Sequence, residues 1–315
     1  MAEPPLVSVV IPTYSRPYYL LTAIQSVVAQ DFQDWQLVVC DDGATPENRE
    51  VVMRFRDPRI VHRINPRRLG IGANKFSGWQ AADGRYLANL DDDDVWEPQF
   101  LSTLVPILEA DQSVVIAFGS HAIIDANGVV DVEVTARNEA AYRGDLAPGR
   151  HEPLDRLLLI DKAIPLTTGS VMRREHIDWH DFPPETDVVA DFWLGYLVAR
   201  SGGAASYVAQ SLTRYRVHAA SASASGGVAW HQSFAACYRR MLCDSQLKPL
   251  WPELRSRLGA SERRAAVCQL KAGDPRAARG SCRRAMAAAM TPATIAVAAI
   301  SLSGPASLRA AAFLP

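Results

Sequence analysis

An α/β protein with a largely parallel sheet covered by helices on both faces is the fold class that three observations predict. Short apolar runs alternate with helical stretches through the first 120 residues, as in chains of repeated strand and helix units. The runs are too apolar to face water on either side, as expected of strands buried between helix layers. The length of 315 residues and the 48% hydrophobic content are enough to bury a large core, in one large domain or one domain with an appendage.

Each element follows in order. Val7-Ser8-Val9-Val10-Ile11 reads as a strand that ends at Pro12-Thr13-Tyr14-Ser15-Arg16. Pro17 to Gln30 then places Leu20, Leu21, Ile24, Val27 and Val28 at helical spacing. Leu37-Val38-Val39-Cys40 is a second strand, ending at Asp41-Asp42-Gly43, and Arg49 to Arg56 reads as helix. Ile60-Val61 is a third strand, with a helix over Gly72 to Ala82. Tyr86 to Leu90 is a fourth, delivering Asp91 to Asp94 to one edge of the sheet, and Val95-Trp96-Glu97-Pro98 reads as an ordered turn into a helix. Val114 to Phe118 is the next strand; Asp125 to Arg150, with mixed charge, Gly128, Gly144 and Gly149 and little periodicity, reads as a loop. Thr167 to Arg173 reads as a strand entered by small polar residues, Glu185 to Leu194 as the opening of an amphipathic helix, and Ala205 to Val217 as a strand-like run before His218.

The aspartate tetrad is the most informative segment. Four adjacent negative charges repel one another, and the cost falls only if water solvates them or a hard cation takes some of their oxygens. A metal site and a solvated acidic turn are both open on this evidence. Asp41-Asp42-Gly43 alone is equally readable as a turn former. In parallel sheets, however, ligands bind at the carboxyl ends of the strands, so the ends of the first, second and fourth runs should share one rim. An acidic rim suits an anionic ligand only when a divalent cation intervenes, and a nucleoside diphosphate with Mg²⁺ or Mn²⁺ meets that condition.

Other features bound the function. Five cysteines, Cys40, Cys237, Cys243, Cys268 and Cys282, show no paired metal spacing and read as reduced thiols of a cytoplasmic protein. Met1-Ala2-Glu3-Pro4-Pro5 lacks the basic and apolar regions of a signal peptide, and no uninterrupted apolar run is long enough to span a membrane. Nucleic acid is not an expected partner. The net charge of -1 conceals a division: from Trp230 to the end, 13 Lys and Arg stand against 4 Asp and Glu, a balance of +9 that leaves -10 for residues 1–229. This Ala- and Arg-rich tail has helical patterning through Leu254, Leu258, Val267, Leu270 and Met286, then the interrupted apolar stretch Ile295 to Ile300, Pro305 and Phe313-Leu314. Two readings stand: a peripheral contact with anionic lipid headgroups at the inner face of the membrane, or a helical subdomain packing on the main body.

The stretch VSVVIPTYSRPYYLLTAIQSVVAQDFQDWQLVVCDDGAT, the later RLGIGANKFSGWQAADGRYLANLDDDDVW and an acidic residue before a helix resemble family 2 glycosyltransferases, over roughly residues 6–220. The resemblance implies a GT-A fold, a Rossmann-like mostly parallel sheet flanked by helices, here with a helical C-terminal extension. It implies a catalytic domain over 1–228, with a nucleotide-sugar half at about 1–120 and an acceptor half at about 121–228, followed by a basic helical extension over 229–315. Pro12, Thr13 and Tyr14 match the segment lining the nucleoside pocket, with Arg16 beside it, and Asp41 matches the aspartate that accepts a hydrogen bond from the base, with Asp42 next to it. Asp91 to Asp93 cover the DxD-type motif: Asp93, with Asp91 and His218, would hold Mg²⁺ or Mn²⁺, and Asp92, with Asp91, would face the ribose or a metal-bound water. Asp94 would support the turn or cap the next helix. Thr168, Gly169 and Ser170 match the segment beside the acceptor pocket.

Three departures from the family pattern occur. Ser15 stands where many relatives carry Asn; Asn74 and Lys75 stand where an Arg is frequent, so the expected diphosphate contact keeps its charge but loses the bidentate fork. Asp191 matches the Asp of a Glu-Asp motif, the usual general base, but Ala190 replaces the Glu, and Asp187 and Glu185 are rivals for the role. The expected reaction is inverting transfer of a sugar from a nucleoside-diphosphate donor to a hydroxyl of a saccharide or lipid-linked acceptor, in surface polysaccharide or glycolipid synthesis. The alternatives are a sugar nucleotidyltransferase, for which PTYSRP lacks the Gly-rich basic loop, and a non-catalytic nucleotide-sugar-binding protein.

Overall fold

The computed structural model describes residues 4–175, 177–218 and 226–302. The expected small-residue loop after His218 and the tail's Pro305 and Phe313-Leu314 lie outside the described residues, as do Met1 to Glu3. The chain divides into two compact units, one of Met1–Phe182 with Ala190–Ala219, the other of Pro183–Val189 with Ala220–Pro315.

In the first unit the apolar runs form strands as their composition requires. β1 (Val7–Thr13), β2 (Trp35–Asp41), β3 (Ile60–Ile64) and β4 (Tyr86–Asn89) alternate with α1 (Pro17–Val28), α2 (Pro46–Arg54) and α3 (Ile71–Ala81). β5 (Val95–Trp96), α4 (Phe100–Ala110), β6 (Val114–Ile124), α5 (Val132–Tyr142) and β7 (Gly149–His151) follow. A helical turn, α6 (Leu154–Arg156), continues as a π-helical segment over Leu157–Asp161, before β8 (Ser170–Arg173), α7 (Ala190–Arg200) and β9 (Ala204–Arg216). The sheet order is β3-β2-β1-β4-β8-β6-β9-β5, with β7 pairing on β9. β3, β2, β1 and β4 run parallel, as does the β6–β9 pair, while β8 enters antiparallel between β4 and β6 and makes the sheet mixed.

The main core lies between this sheet and its helices, from Val7, Val9 and Ile11 through Leu20, Ile24 and Val27 to Leu37, Val39, Trp96, Phe100 and Leu104. α1 turns Leu20, Ala23, Ile24 and Val27 inward at the helical period, and Pro17 opens it with a preset φ and no amide to satisfy. Gly78 of α3 sits where a Cβ would come within 2.6 Å of Cys40 Sγ and Val10 Cγ1, so only glycine lets this helix lie so close to the sheet.

Several expectations change here. β3 is an edge strand with Val61 and Ile64 exposed, not a strand buried on both faces. The turn expected over Val95–Pro98 contains strand β5, whose Trp96 pairs with Thr213 of β9. The loop expected over Asp125–Arg150 contains α5, whose cap is the Asp131 side chain accepting from Val134 N at 2.9 Å, and β7. No residue of α5 is buried, so it carries no apolar period to read. Finally, α7 is not amphipathic: every residue but Asp191 and Arg200 is buried.

The second unit is helical: a 3₁₀ turn at Pro184–Val189, α8 (Val228–Met241), a 3₁₀ turn at Ser245–Leu250, α9 (Trp251–Lys271), α10 (Pro275–Ala288) and α11 (Pro292–Leu302). Ala266, Val267, Leu270, Ala278, Cys282 and Val297 form a small core of its own. Glu262, 1% exposed, is held by Arg239 at 2.6 Å and Arg284 at 2.7 Å and ties three helices together. Glu185, a rival for the base, is engaged by Arg240 at 2.8 Å within this unit.

Candidate functional site

Strand order reverses between β1 and β4, and at such a switch point the loops leave in opposite directions and open a crevice at the carboxyl ends. Thr13 lies across from Asp41 in the register, and Val10 across from Asn89, so the loops after β1, β2 and β4 share one rim. Because β8 is antiparallel, its amino end and the preceding Thr168 and Gly169 come to the same rim, as does the carboxyl end of β9.

The tetrad is knit into this rim by every neighbour. Thr13 Oγ1 donates to Asp92 Oδ2 at 2.7 Å, and Arg16 Nη1 reaches Asp92 at 3.3 Å and Asp93 at 2.8 Å. His218 Nε2 lies 2.9 Å from Asp93 Oδ2, its ring against Tyr19 at 5.1 Å. Asp94, buried, accepts from Thr168 Oγ1 and from Arg216 N at 2.8 Å, while Arg216 Nε donates to Asp93 O at 2.7 Å. Asp94 thus holds the turn and does not cap α4, whose N-terminal residue Gln99 makes no side-chain cap bond.

Crowding shows in the acidities. Burial, then the neighbouring carboxylates, raise Asp92 to about 7 and Asp91 to about 6, against the opposing pull of Arg16 and Lys75, and raise Asp94 well above the usual range. A raised folded pKa contributes stability that is complete below about 4 and is lost as pH rises through 6 to 7. The melting temperature without divalent cation is therefore expected to fall between pH 5 and pH 8. Since a cation binds only the ionised carboxylates, Mn²⁺ should restore the loss at pH 8 and do little at pH 5. Differential scanning fluorimetry checks this, and a Mn²⁺ shift independent of pH would contradict it.

Lys75, 7% exposed, bridges two parts of the site. Its Nζ lies 2.8 Å from Asp91 Oδ1 and 2.9 and 3.1 Å from the two oxygens of Asp191. Burial opposes its charge, but the two carboxylates outweigh burial and raise its pKa. The candidate base at the start of α7 is thus tied, through one ammonium, to the end of β4. Lys75, expected against a diphosphate, is occupied between these carboxylates instead.

The second strand's end is a scaffold. Asp41, fully buried, accepts at Oδ1 from Gly43 N, Ala44 N and Asn48 Nδ2 and meets His62 Nε2 at 3.2 Å through Oδ2. Burial raises its pKa, but the bonds from His62, Asn48 and the two amides prevail and lower it. Asp42 accepts from Asn65 Nδ2, Leu69 N and Gly70 N at 2.7 to 2.9 Å and anchors the approach to α3. Asn74, expected beside a nucleotide, is 3% exposed and spends its amide on Cys40 O and Asn65. Tyr14 is exposed, with the Arg68 guanidinium 4.1 Å from its ring centroid. Ser15 adopts φ 53, a left-handed conformation that asparagine favours over serine, and a Cβ on Gly43 would meet its Oγ at 2.8 Å. On the expected acceptor side, Thr168, Gly169 and Ser170 are all buried, and Thr168 borders a cleft.

The model of glycosyl transferase family 2 matches residues 8–178, more than half of the chain. The protein belongs to this family. That membership favours sugar transfer over the nucleotidyltransferase alternative. The chain is 30% identical over 125 residues to the Escherichia coli UDP-Glc:alpha-D-GlcNAc-diphosphoundecaprenol beta-1,3-glucosyltransferase WfgD, a match covering 40% of this chain and 49% of that relative. The chain therefore spans about half the length of that curated relative. In fold it is similar to the crystal structure of S. aureus TarS 1–349 in complex with UDP-GlcNAc, with a TM-score of 0.68 at 14% identity, covering 97% of this chain and 87% of that one. It is also similar to the mannosyltransferase PcManGT of Pyrobaculum calidifontis in complex with GDP-Man and Mn²⁺, with a TM-score of 0.54 at 18% identity, covering 99% and 87%.

The glycosyltransferase site can be tested for its fit to a divalent cation. Among the described residues no three His, Cys, Asp or Glu side chains form a ready metal cage. The structure does bring Asp93 and His218 together, and leaves Asp91 on Lys75. One carboxylate and one imidazole beside backbone-held acids fit an ion that draws its remaining ligands from phosphate oxygens and water, as Mg²⁺ and Mn²⁺ do. His62, Asn65 and Tyr19, which no sequence motif singled out, also contact the rim residues, while Arg216 stands in the run Tyr215-Arg216-Val217-His218.

Proposed function

We propose that this glycosyltransferase is metal-dependent and inverting, and moves a sugar from a nucleoside-diphosphate donor to a hydroxyl of a saccharide or lipid-linked acceptor, in surface polysaccharide or glycolipid synthesis. The observation that carries the reading is the Asp91–Lys75–Asp191 bridge, which sets a carboxylate from α7 beside the acidic end of β4. Asp191, with its side chain about one-third exposed, would accept the proton of an attacking hydroxyl, and its ion pair with Lys75 would orient it. Proton removal on one face and departure of the diphosphate on the other would invert the anomeric carbon. Pro12, Thr13, Tyr14, Asp41 and His62 would shape the nucleoside pocket; Arg16, Asp91 and Asp92 would border the ribose and diphosphate. Asp93 and His218 would hold Mg²⁺ or Mn²⁺, with Asp91 a further candidate once Lys75 moves to the donor. When bound, that ion would supply the positive charge that stabilises the diphosphate leaving group.

The relative's acceptor makes a diphosphate-linked lipid sugar the first to test. Incubating the protein with UDP-, GDP- and dTDP-sugars, Mn²⁺ and such an acceptor should release nucleoside diphosphate with a glycosylated product. Binding of every donor with no turnover would instead favour a non-catalytic role.

Peripheral membrane contact belongs to the same proposal. No helix among the described residues is long and apolar enough to cross a membrane. The second unit, however, leaves Met290, Ile295 and Leu302 exposed at 71%, 50% and 72% on a strongly basic segment. An Ile295→Asp, Leu302→Asp double variant should sediment less with vesicles rich in phosphatidylglycerol. Equal sedimentation of variant and parent would refute the contact.

A further inference from the structure

Within the first unit, a cleft of about 240 Å³ opens between β6, α5 and the segment preceding β8. It borders the reaction from two sides. Thr168, on its wall, donates to Asp94 of the tetrad, and Lys162, also on its wall, places Nζ 4.6 Å from the ring of Phe192, the neighbour of Asp191.

Its lining is chemically specific. Arg143, 4% exposed, is immobilised by Glu139 at 2.8 Å, Ala163 O at 3.2 Å and Asn138 Oδ1 at 3.2 Å, and Lys162 gives the wall a second cation. Burial, then the adjacent Arg143, push the His121 imidazole down to about 4, so it is neutral at pH 7. Its Nδ1 is buried with no hydrogen-bond partner among the described residues, and a side-chain bond from Asn138 holds the ring. Tyr142, exposed, and Tyr215 add aromatic surface. The volume lies below the roughly 300–1,000 Å³ of sites for larger ligands, and so suits one sugar ring rather than an oligosaccharide.

We propose that this cleft receives the phosphate-linked sugar unit of the acceptor, with a ring hydroxyl on His121 Nδ1, the ring against Tyr142, and the phosphate drawn to Lys162 and Arg143. The proposal rests on the transferase reading and names the substrate class of its acceptor side. The cations favour phosphate over a neutral aglycone, and the fixed guanidinium keeps that preference from being satisfied by a collapsed side chain.

Saturation-transfer NMR and calorimetry on the full chain with Mg²⁺ and UDP test it, using N-acetylglucosamine 1-phosphate, its neutral methyl glycoside and inorganic phosphate as probes. The glycosyl phosphate should bind about tenfold more tightly than either comparator. Lys162→Met should remove most of that advantage, and Tyr142→Ala should weaken both sugar probes. Unchanged affinity in Lys162→Met, or phosphate alone binding as tightly as the glycosyl phosphate, would overturn the assignment. UDP-sugar binding, measured in parallel, separates the two claims. If it persists while no sugar probe binds, the subsite alone fails; if it is absent from the parent protein, the transferase reading fails with it.

Discussion

Asp191→Asn lowers glycosyl transfer by about 10³-fold and leaves donor affinity within about a factor of two; this is the largest effect expected of any single substitution here. Asparagine keeps the shape and can still accept from Lys75 through Oδ1, so the bridge to Asp91 loses its charge and one of its two contacts but keeps the other. What vanishes is the ability to take a proton. The loss should therefore fall on kcat rather than on the donor's KM. Lys75 sharpens the test, because Lys75→Met frees Asp191 while unbalancing Asp91, and should change both parameters. Steady-state kinetics with a saturating acceptor reads the difference. Near-normal turnover in Asp191→Asn would remove it from the role.

Asp93→Asn should weaken Mn²⁺ binding by at least about 100-fold, with donor affinity in the presence of metal falling alongside. Asp93 meets both Arg16 and His218, so its loss strips the pairing on which the proposed ion depends. The same change should make the metal-free protein more stable at pH 8. Asp93 raises the pKa values of Asp91, Asp92 and Asp94, and removing its charge relieves that repulsion. A variant that is better folded yet blind to Mn²⁺ cannot be explained by unfolding. Electron paramagnetic resonance titration of Mn²⁺ with thermal melts reads both quantities, and undiminished Mn²⁺ affinity would exclude Asp93 as a ligand.

The parts of this architecture that local chemistry dictates were legible in the sequence. β1, β2 and β4 announce themselves because both of their faces are buried, and only Leu90 separates β4 from Asp91 to Asp94. The rim followed from a general rule about parallel strands. α5 was not legible, because a helix with no buried residue has no apolar period, and β5 is only two residues long. The tie between Lys75 and Asp191 spans 116 positions and depends on α7 coming to the sheet, which no local pattern states. Asn74 and Asp42 have partners that no local pattern announces, for a related reason. Polar residues at a strand end can serve the backbone of the loops as readily as a ligand, and here Leu69, Gly70 and Cys40 claim them.

The antiparallel placement of β8 has a consequence for the molecule as an object to be divided. β4, which delivers the acidic residues, is flanked on one side by β1 and on the other by a strand arriving more than 80 positions later. A fragment cut after Asp94 would leave β4 with a bare row of amides and carbonyls, an invitation to self-association. The proposed nucleotide-binding half is thus no detachable cassette: chimaeras meant to exchange donor preference must carry β8 with them, or the grafted half will find its missing neighbour in another copy of itself.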